Sequence, residues 1–216
     1  MSERALNITN GDYFNSHFLA NNGGEAVPFC EVMMDGETVE RIYSDEFIRL
    51  RANRLNVTEE MYISKMHVCK ALADNEYSEL RLWFGEDTFC QMNLLTLLAY
   101  LEQISFSGKV VLNIIDDSSF ATVKENIPVQ LGVYSKLYNE ILVQRKEATE
   151  VGVISPRAVE LFFDYHSAYG KLAEIVKSNA HLDETALVSL LMSESDEYGL
   201  SDLQAKKLIE KYGAQV

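Results

Sequence analysis

The sequence predicts an α/β protein: a three-layer, Rossmann-like parallel sheet of about four or five strands with a C-terminal all-helical region. Three observations lead there. Strand-like and helix-like runs alternate through the first 125 residues, the order in which βαβ units build a parallel sheet. Lys109-Val110-Val111-Leu112-Asn113-Ile114-Ile115 is almost continuously apolar, as a strand covered on both faces must be. Beyond about residue 125 only helical spacing is visible. On this reading residues 1–125 form an α/β domain and residues 126–216 a helical region packed on or beside it. At 216 residues, 47% of them hydrophobic, the chain is long enough to bury a substantial core.

Each element has a local signature. Ala5-Leu6-Asn7-Ile8-Thr9 is β-prone, and Asn10-Gly11-Asp12 breaks it. Phe14, Phe18 and Leu19 follow at helical spacing, and Asn22-Gly23-Gly24 ends that helix as a C-cap would. A second strand runs from Ala26 to Met33 and stops at Asp35-Gly36. Ser44-Asp45-Glu46 and Thr58-Glu59-Glu60 each read as helix starts, a small capping residue followed by acids in the first turn. Glu79 to Phe84 is a strand, and Gly85-Glu86-Asp87 turns it into a long helix carrying Phe89, Met92, Leu95, Leu98 and Ile104 on its apolar face. After the Lys109–Ile115 strand come helices over Tyr134 to Arg145, Pro156 to Lys177, Asp183 to Met192 and Ser201 to Tyr212, with Pro156 at a first-turn position.

The net charge of −14 narrows the partners. An acidic chain is repelled by phosphate backbones and anionic lipid surfaces, so nucleic acid and membranes are not the expected partners. No apolar run approaches the ~18 residues of a membrane span, and no signal peptide is visible at the start. Cys30, Cys69 and Cys90 are odd in number, scattered and set among apolar residues, the pattern of free thiols in a reducing cytoplasm. A cytoplasmic protein is the expectation.

Ligands of open parallel sheets bind beyond the carboxyl ends of the strands. Here the first strand is followed by Asn10, Gly11 and Asp12, the strand ending at Trp83-Phe84 by Glu86, Asp87 and, one turn on, Gln91, and the Val111 strand by Asp116, Asp117, Ser118 and Ser119. Gathered on one rim, Asp12, Asp87 and Asp116 suit a hard cation such as Mg²⁺ with a phosphorylated or nucleotide-like ligand. The same carboxylates suit hydrogen bonds from sugar hydroxyls, with Gly11 admitting a close backbone approach and Trp83 a stacking surface. The plainer reading stands beside these: Asp12 and Asp87 begin helices, where aspartate caps orphan amides, and Asp116-Asp117-Ser118-Ser119 makes a solvated turn. Cys90 reads as a buried inert thiol, Trp83 as core, and Arg41, Arg49, Arg51 and Arg54 as ion-pair partners before an anion clamp. No GxGxxG, GxxxxGK[ST], HExxH or GxSxG motif is present, so no reaction is specified.

Three blocks stand in order along the chain: Leu6-Asn7-Ile8-Thr9-Asn10-Gly11-Asp12, Glu31-Val32-Met33-Met34-Asp35-Gly36-Glu37, and Leu82-Trp83-Phe84-Gly85-Glu86-Asp87-Thr88-Phe89-Cys90-Gln91-Met92-Asn93-Leu94-Leu95. They resemble, in turn, the opening hhxNGD, the D/E-x-L-x-x-G-P element and the LWFxxDxxxQxNLL block of a bacterial family, domain of unknown function 1835. Glu37 stands where the family has proline, and Glu86 where it has histidine. The resemblance covers roughly residues 5–120, singles out Asn10, Asp12, Trp83, Asp87 and Gln91, and implies no reaction. It also brings a transcription-regulator reading, for which Leu200 to Gly213 is at most half of a helix-turn-helix. The alternative to a rim ligand is a non-catalytic interaction protein whose C-terminal helices bind a partner or a second copy, with the aromatics Tyr134, Tyr138, Phe162, Phe163, Tyr165 and Tyr169 in an interface or, first, in the core.

Overall fold

The computed structural model describes residues 4–74 and 76–213. Five strands, β1 (Ala5–Asn10), β2 (Ala26–Phe29), β3 (Glu79–Phe84), β4 (Lys109–Ile115) and β5 (Thr122–Val129), form one sheet in the order β2-β1-β3-β4-β5. The first four are mutually parallel and β5 is antiparallel to β4. The register stacks Leu6 beside Leu80 and Ile8 beside Leu82, then Leu80, Leu82 and Phe84 beside Val110, Leu112 and Ile114. Side chains alternate along a strand, so this row is one continuous apolar face.

Helix α1 (Asp12–Asn22) covers the opposite face, where Phe14 and Phe18 pack with Trp83 and Ile115. Helices α2 (Asp45–Leu55), α3 (Glu59–Lys65), α4 (His67–Ala73) and α5 (Thr88–Gln103) share one core with the continuous face, completing an α/β sandwich. Every residue of α5 from Cys90 to Leu101 is buried, because α5 is roofed by the C-terminal helices as well as floored by the sheet. A helix that is apolar on all sides has no other stable place. Helices α6 (Tyr134–Tyr138) and α7 (Pro156–His166) form that roof, α8 (Lys171–Ser178) packs on α7 with α9 (Glu184–Ser193) and α10 (Asp202–Tyr212) against it, and one hydrophobic core runs from Leu6 to Tyr212.

Four local expectations are corrected. The sheet is not wholly parallel, and strand structure continues to Val129. β5 escapes hydrophobic patterning because six of its eight residues are exposed, and Lys124 and Pro128 mark it as a sheet edge. The second strand ends at Phe29, not Met33, where Glu31 turns inward to a buried ion pair. Pro156 to Lys177 is two helices: Asp164 accepts a hydrogen bond from the Lys171 amide at 3.0 Å, and a side chain on Gly170 would strike the Asp164 carbonyl oxygen. The helix from Tyr134 closes in a π-helical turn, Asn139–Val143, and Arg145 just beyond has a left-handed backbone with φ 55°.

The acid-to-glycine element after β2 is a buried brace. Arg51, with no exposed surface, donates to Glu31 Oε1 from Nη2 (2.9 Å) and Nε (3.2 Å), and to the carbonyls of Val32, Asp35 and Glu37. Tyr62 donates to the other Glu31 oxygen, and Asn93 of α5 donates to the Glu31 carbonyl while accepting from the Met33 amide. The expected ion pairing of Arg51 and Arg54 is what the structure shows, with Arg54 on Asp35.

Candidate functional site

Chain connections leave β1 toward β2 on one side and return to β3 on the other, so the switch point of the sheet lies between the ends of β1 and β3. That crevice is filled. Asn10 at the end of β1 donates its amide to the Cys90 sulfur at 2.8 Å and accepts from Asn93 at 2.9 Å. The open space lies one strand further on, a cleft of about 720 Å³ at the ends of β3 and β4, walled by α7, the 3₁₀ turn Asp196–Tyr198 and Gly199.

Two carboxylates of the cleft, Asp87 and Asp117, converge with a buried thiol, Cys90. Asp87 caps α5, accepting from the Cys90 amide at 2.9 Å. Cys90, one turn in, aims its thiol at Asp117 Oδ1 (3.6 Å) in the loop after β4. One ligand atom each of Asp87, Cys90 and Asp117 lies within 4.8 Å of the others. Asp117 is an exposed residue whose carboxyl packs against Gly85: a side chain on Gly85 would sit 1.8 Å from Asp117 Oδ2. Gly199, at φ +65°, leaves the same room for Asp87, where a side chain would meet Oδ1 at 2.1 Å. Desolvation, the hydrogen bond with Asp87 and its like charge push the Asp117 carboxyl up to about 8. Burial, followed by the charges of Asp87 and Asp117, raises the Cys90 thiol well above its ordinary value, so it is protonated and unreactive at neutral pH.

The cleft is strongly acidic. Glu86, Asp87, Asp116, Asp117, Asp196 and Glu197 line it against a single cation, Arg157, which is already shared by Glu160 and Glu197. Ile114, Val123, Leu161, Met192 and Leu200 supply an apolar flank.

The expected site residues are not gathered as a set. Of the carboxylates expected to hold a metal, only Asp87 belongs to the cluster. Asp12 lies outside the cleft, half-exposed, and pairs with Lys65, which holds its carboxyl below the ordinary range. Asp116 lines the cleft but is held by its own turn: Ser118 Oγ, Ser119 Oγ and the Ser119 amide all donate to Oδ1 and keep it down at about 2. Gly11 precedes α1 at φ 83° and donates its amide to the Phe29 carbonyl. Trp83 donates to Asn7 Oδ1 at 3.0 Å and packs on Phe18 beneath α1, away from the cleft. Gln91 is buried, donating to the Gly85 carbonyl (2.6 Å) and accepting from the Ser155 amide (2.9 Å). It therefore ties the β3 turn to the start of α7. Cys90 is the buried, inert thiol expected of it, whereas for the metal the expected carboxylate is Asp116 and the one beside Asp87 is Asp117. Two adjacent aspartates offered no signal for which one turns inward.

Compared with protein-family models, with curated proteins and with solved structures, the chain has no match. The chemistry of the site rests on its geometry.

Proposed function

We propose that the chain binds a small phosphorylated or nucleotide-like ligand in the cleft beyond β3 and β4, with a divalent cation at Asp87 and Asp117 as the bridge. One observation carries this reading: two carboxyls meet in a cleft at the carboxyl edge of a parallel sheet, with the buried Cys90 thiol within 4.8 Å of both and glycines wherever a side chain would displace the carboxyls. Asp117, desolvated and pressed against Asp87, holds its proton more tightly than an ordinary carboxyl, and a cation would replace that proton. An anionic ligand entering so acidic a cleft needs the same cation. Oxygen donors alone suit Mg²⁺ or Mn²⁺ with several waters; recruiting Cys90 as thiolate would favour a softer ion such as Zn²⁺. Asn10, Asp87 and Gln91, which the likeness to domain of unknown function 1835 singles out, support the floor in this reading rather than touching the ligand directly, Asp87 excepted.

Thermal unfolding of the full chain with Mg²⁺, Mn²⁺ or Zn²⁺, each with and without ATP or ADP, tests it. A bound ion or ligand stabilises the fold by about 2.7 kcal/mol at a hundredfold excess over its dissociation constant. Saturable stabilisation that is lost in Asp117→Asn is expected. No shift with any cation, or an equal cation-dependent shift in Asp117→Asn, overturns the proposal.

A further inference from the structure

The strongest feature outside the cleft is of opposite sign. A second concavity, of about 360 Å³, opens where the loop after β2 meets the C-terminal helices. Arg54 of α2, Arg145, and Lys207 and Lys211 of α10 line it against only Asp35 and Glu37, in a chain of net charge −14. His166 also faces it and is held neutral, because burial and the nearby Arg145 charge push the imidazole down to about 4. Asp35 is occupied twice over, by Arg54 and by Lys207 Nζ at 3.0 Å. Among the described residues, Arg145 and Lys211 have no carboxylate at ion-pair distance.

Arg145 is positioned at a cost. It has the left-handed backbone that ends the π-helical turn, a conformation non-glycine residues adopt where the surroundings impose it, commonly at functional sites. Its guanidinium lies 4.6 Å over the Phe162 ring, Nη2 donates to the Gly36 carbonyl at 2.6 Å, and buried Nη1 has no acceptor. A half-buried guanidinium fixed in orientation, with Glu37 and Asp35 nearby but no carboxylate at ion-pair distance among the described residues, suits an anion. Gly36 (φ +85°) belongs to the same construction: a side chain there would strike the Arg54 stem at 2.7 Å.

We propose that this pocket is a second site, binding a small phosphorylated anion through Arg145 and Lys211 with Arg54 and Lys207 at its rim. The concavity is at the lower end of small-molecule sites and suits a compact phosphoryl group rather than a polymer. Calorimetry and thermal unfolding of the full chain with pyrophosphate and with inorganic phosphate, against sodium chloride at matched ionic strength, are the test. Saturable pyrophosphate binding with a dissociation constant below about 1 mM is expected. Lys211→Glu, at an exposed residue that can change without loss of folding, should weaken it at least tenfold, and Arg145→Gln should do the same. Asp117→Asn should leave it unchanged, which separates this site from the cleft. A pyrophosphate response no larger than that of chloride, or binding by Lys211→Glu equal to wild type, overturns the proposal.

Discussion

The acidic cleft and the basic pocket sit at the two ends of one helix. Arg157, Ala158 and Leu161 of α7 wall the cleft, and Tyr165 and His166 line the pocket. Eleven residues at 1.5 Å rise make the helix about 16 Å long, so the two sites are near neighbours of opposite charge. The helix dipole favours both, since its positive N-terminus faces the carboxylates and its negative C-terminus the arginines and lysines. The contrast shows how little a net charge says about a ligand. Six carboxylates in one concavity and four cations in the other coexist because each is built by different chain segments converging on α7.

The two sites also differ in how their charges are held, which can be broken by mutation. The pocket rests on the Arg51–Glu31 brace. Arg51→Met leaves Glu31 buried and unpaired, and urea unfolding should show a loss of about 3–5 kcal/mol. The double variant with Glu31→Gln should recover much of it, as removal of both charges spares the desolvation of either. The cleft rests on glycine. Gly199→Ala places a methyl group against Asp87 in a left-handed backbone and should cost about 2–3 kcal/mol by the same measurement.

Protonation sharpens the comparison, because the two sites respond to pH in opposite directions. His166 has its folded value depressed, so the stability it contributes is present above an unfolded value near 6.5 and is lost as pH falls toward about 4. His166→Gln should flatten the melting curve across that window, by on the order of 2 kcal/mol at its acid end. Asp117 has its folded value raised, so its contribution is full below the unfolded value of about 4 and is lost as pH rises toward about 8. Asp117→Asn should therefore stabilise the cation-free protein at pH 7 while abolishing the cation response. Solvent screening at this partly exposed residue leaves on the order of 1 kcal/mol. If Asp117→Asn is neutral or destabilising at pH 7, the two acids are not forced together as the geometry indicates.

Much of the fold was legible. Ser44, Thr58, Asp87, Ser155, Asp183 and Ser201 each cap the helix expected to start beside them, because a cap is a contact between residues three apart. β3 and β4 lie where their apolar runs place them. β5 was hidden because an exposed edge strand carries no hydrophobic period, and the break between α7 and α8 because its cause is Asp164 reaching forward to a backbone amide.

The site was legible as a rim but not as a cluster. Asp87 was singled out; Asp117 and Cys90 were not, since which of two adjacent aspartates turns inward depends on Gly85 in another loop. Asn10 and Gln91 were singled out for a ligand, yet their amides are taken up by Cys90, Asn93, Gly85 and Ser155.

By itself the sequence determined the α/β class, the positions of most strands and helices and the acidic character of the sheet's edge. These follow from periodicity and capping, which are properties of neighbouring residues. The tertiary structure alone decided which carboxylates meet, that the β1–β3 crevice is closed, and that a basic pocket exists in an acidic chain. Those outcomes depend on contacts between distant residues, 80 apart for Asn10 and Cys90 and 172 apart for Asp35 and Lys207. Local propensity carries no information about such pairs, because they form only when the core brings their segments together.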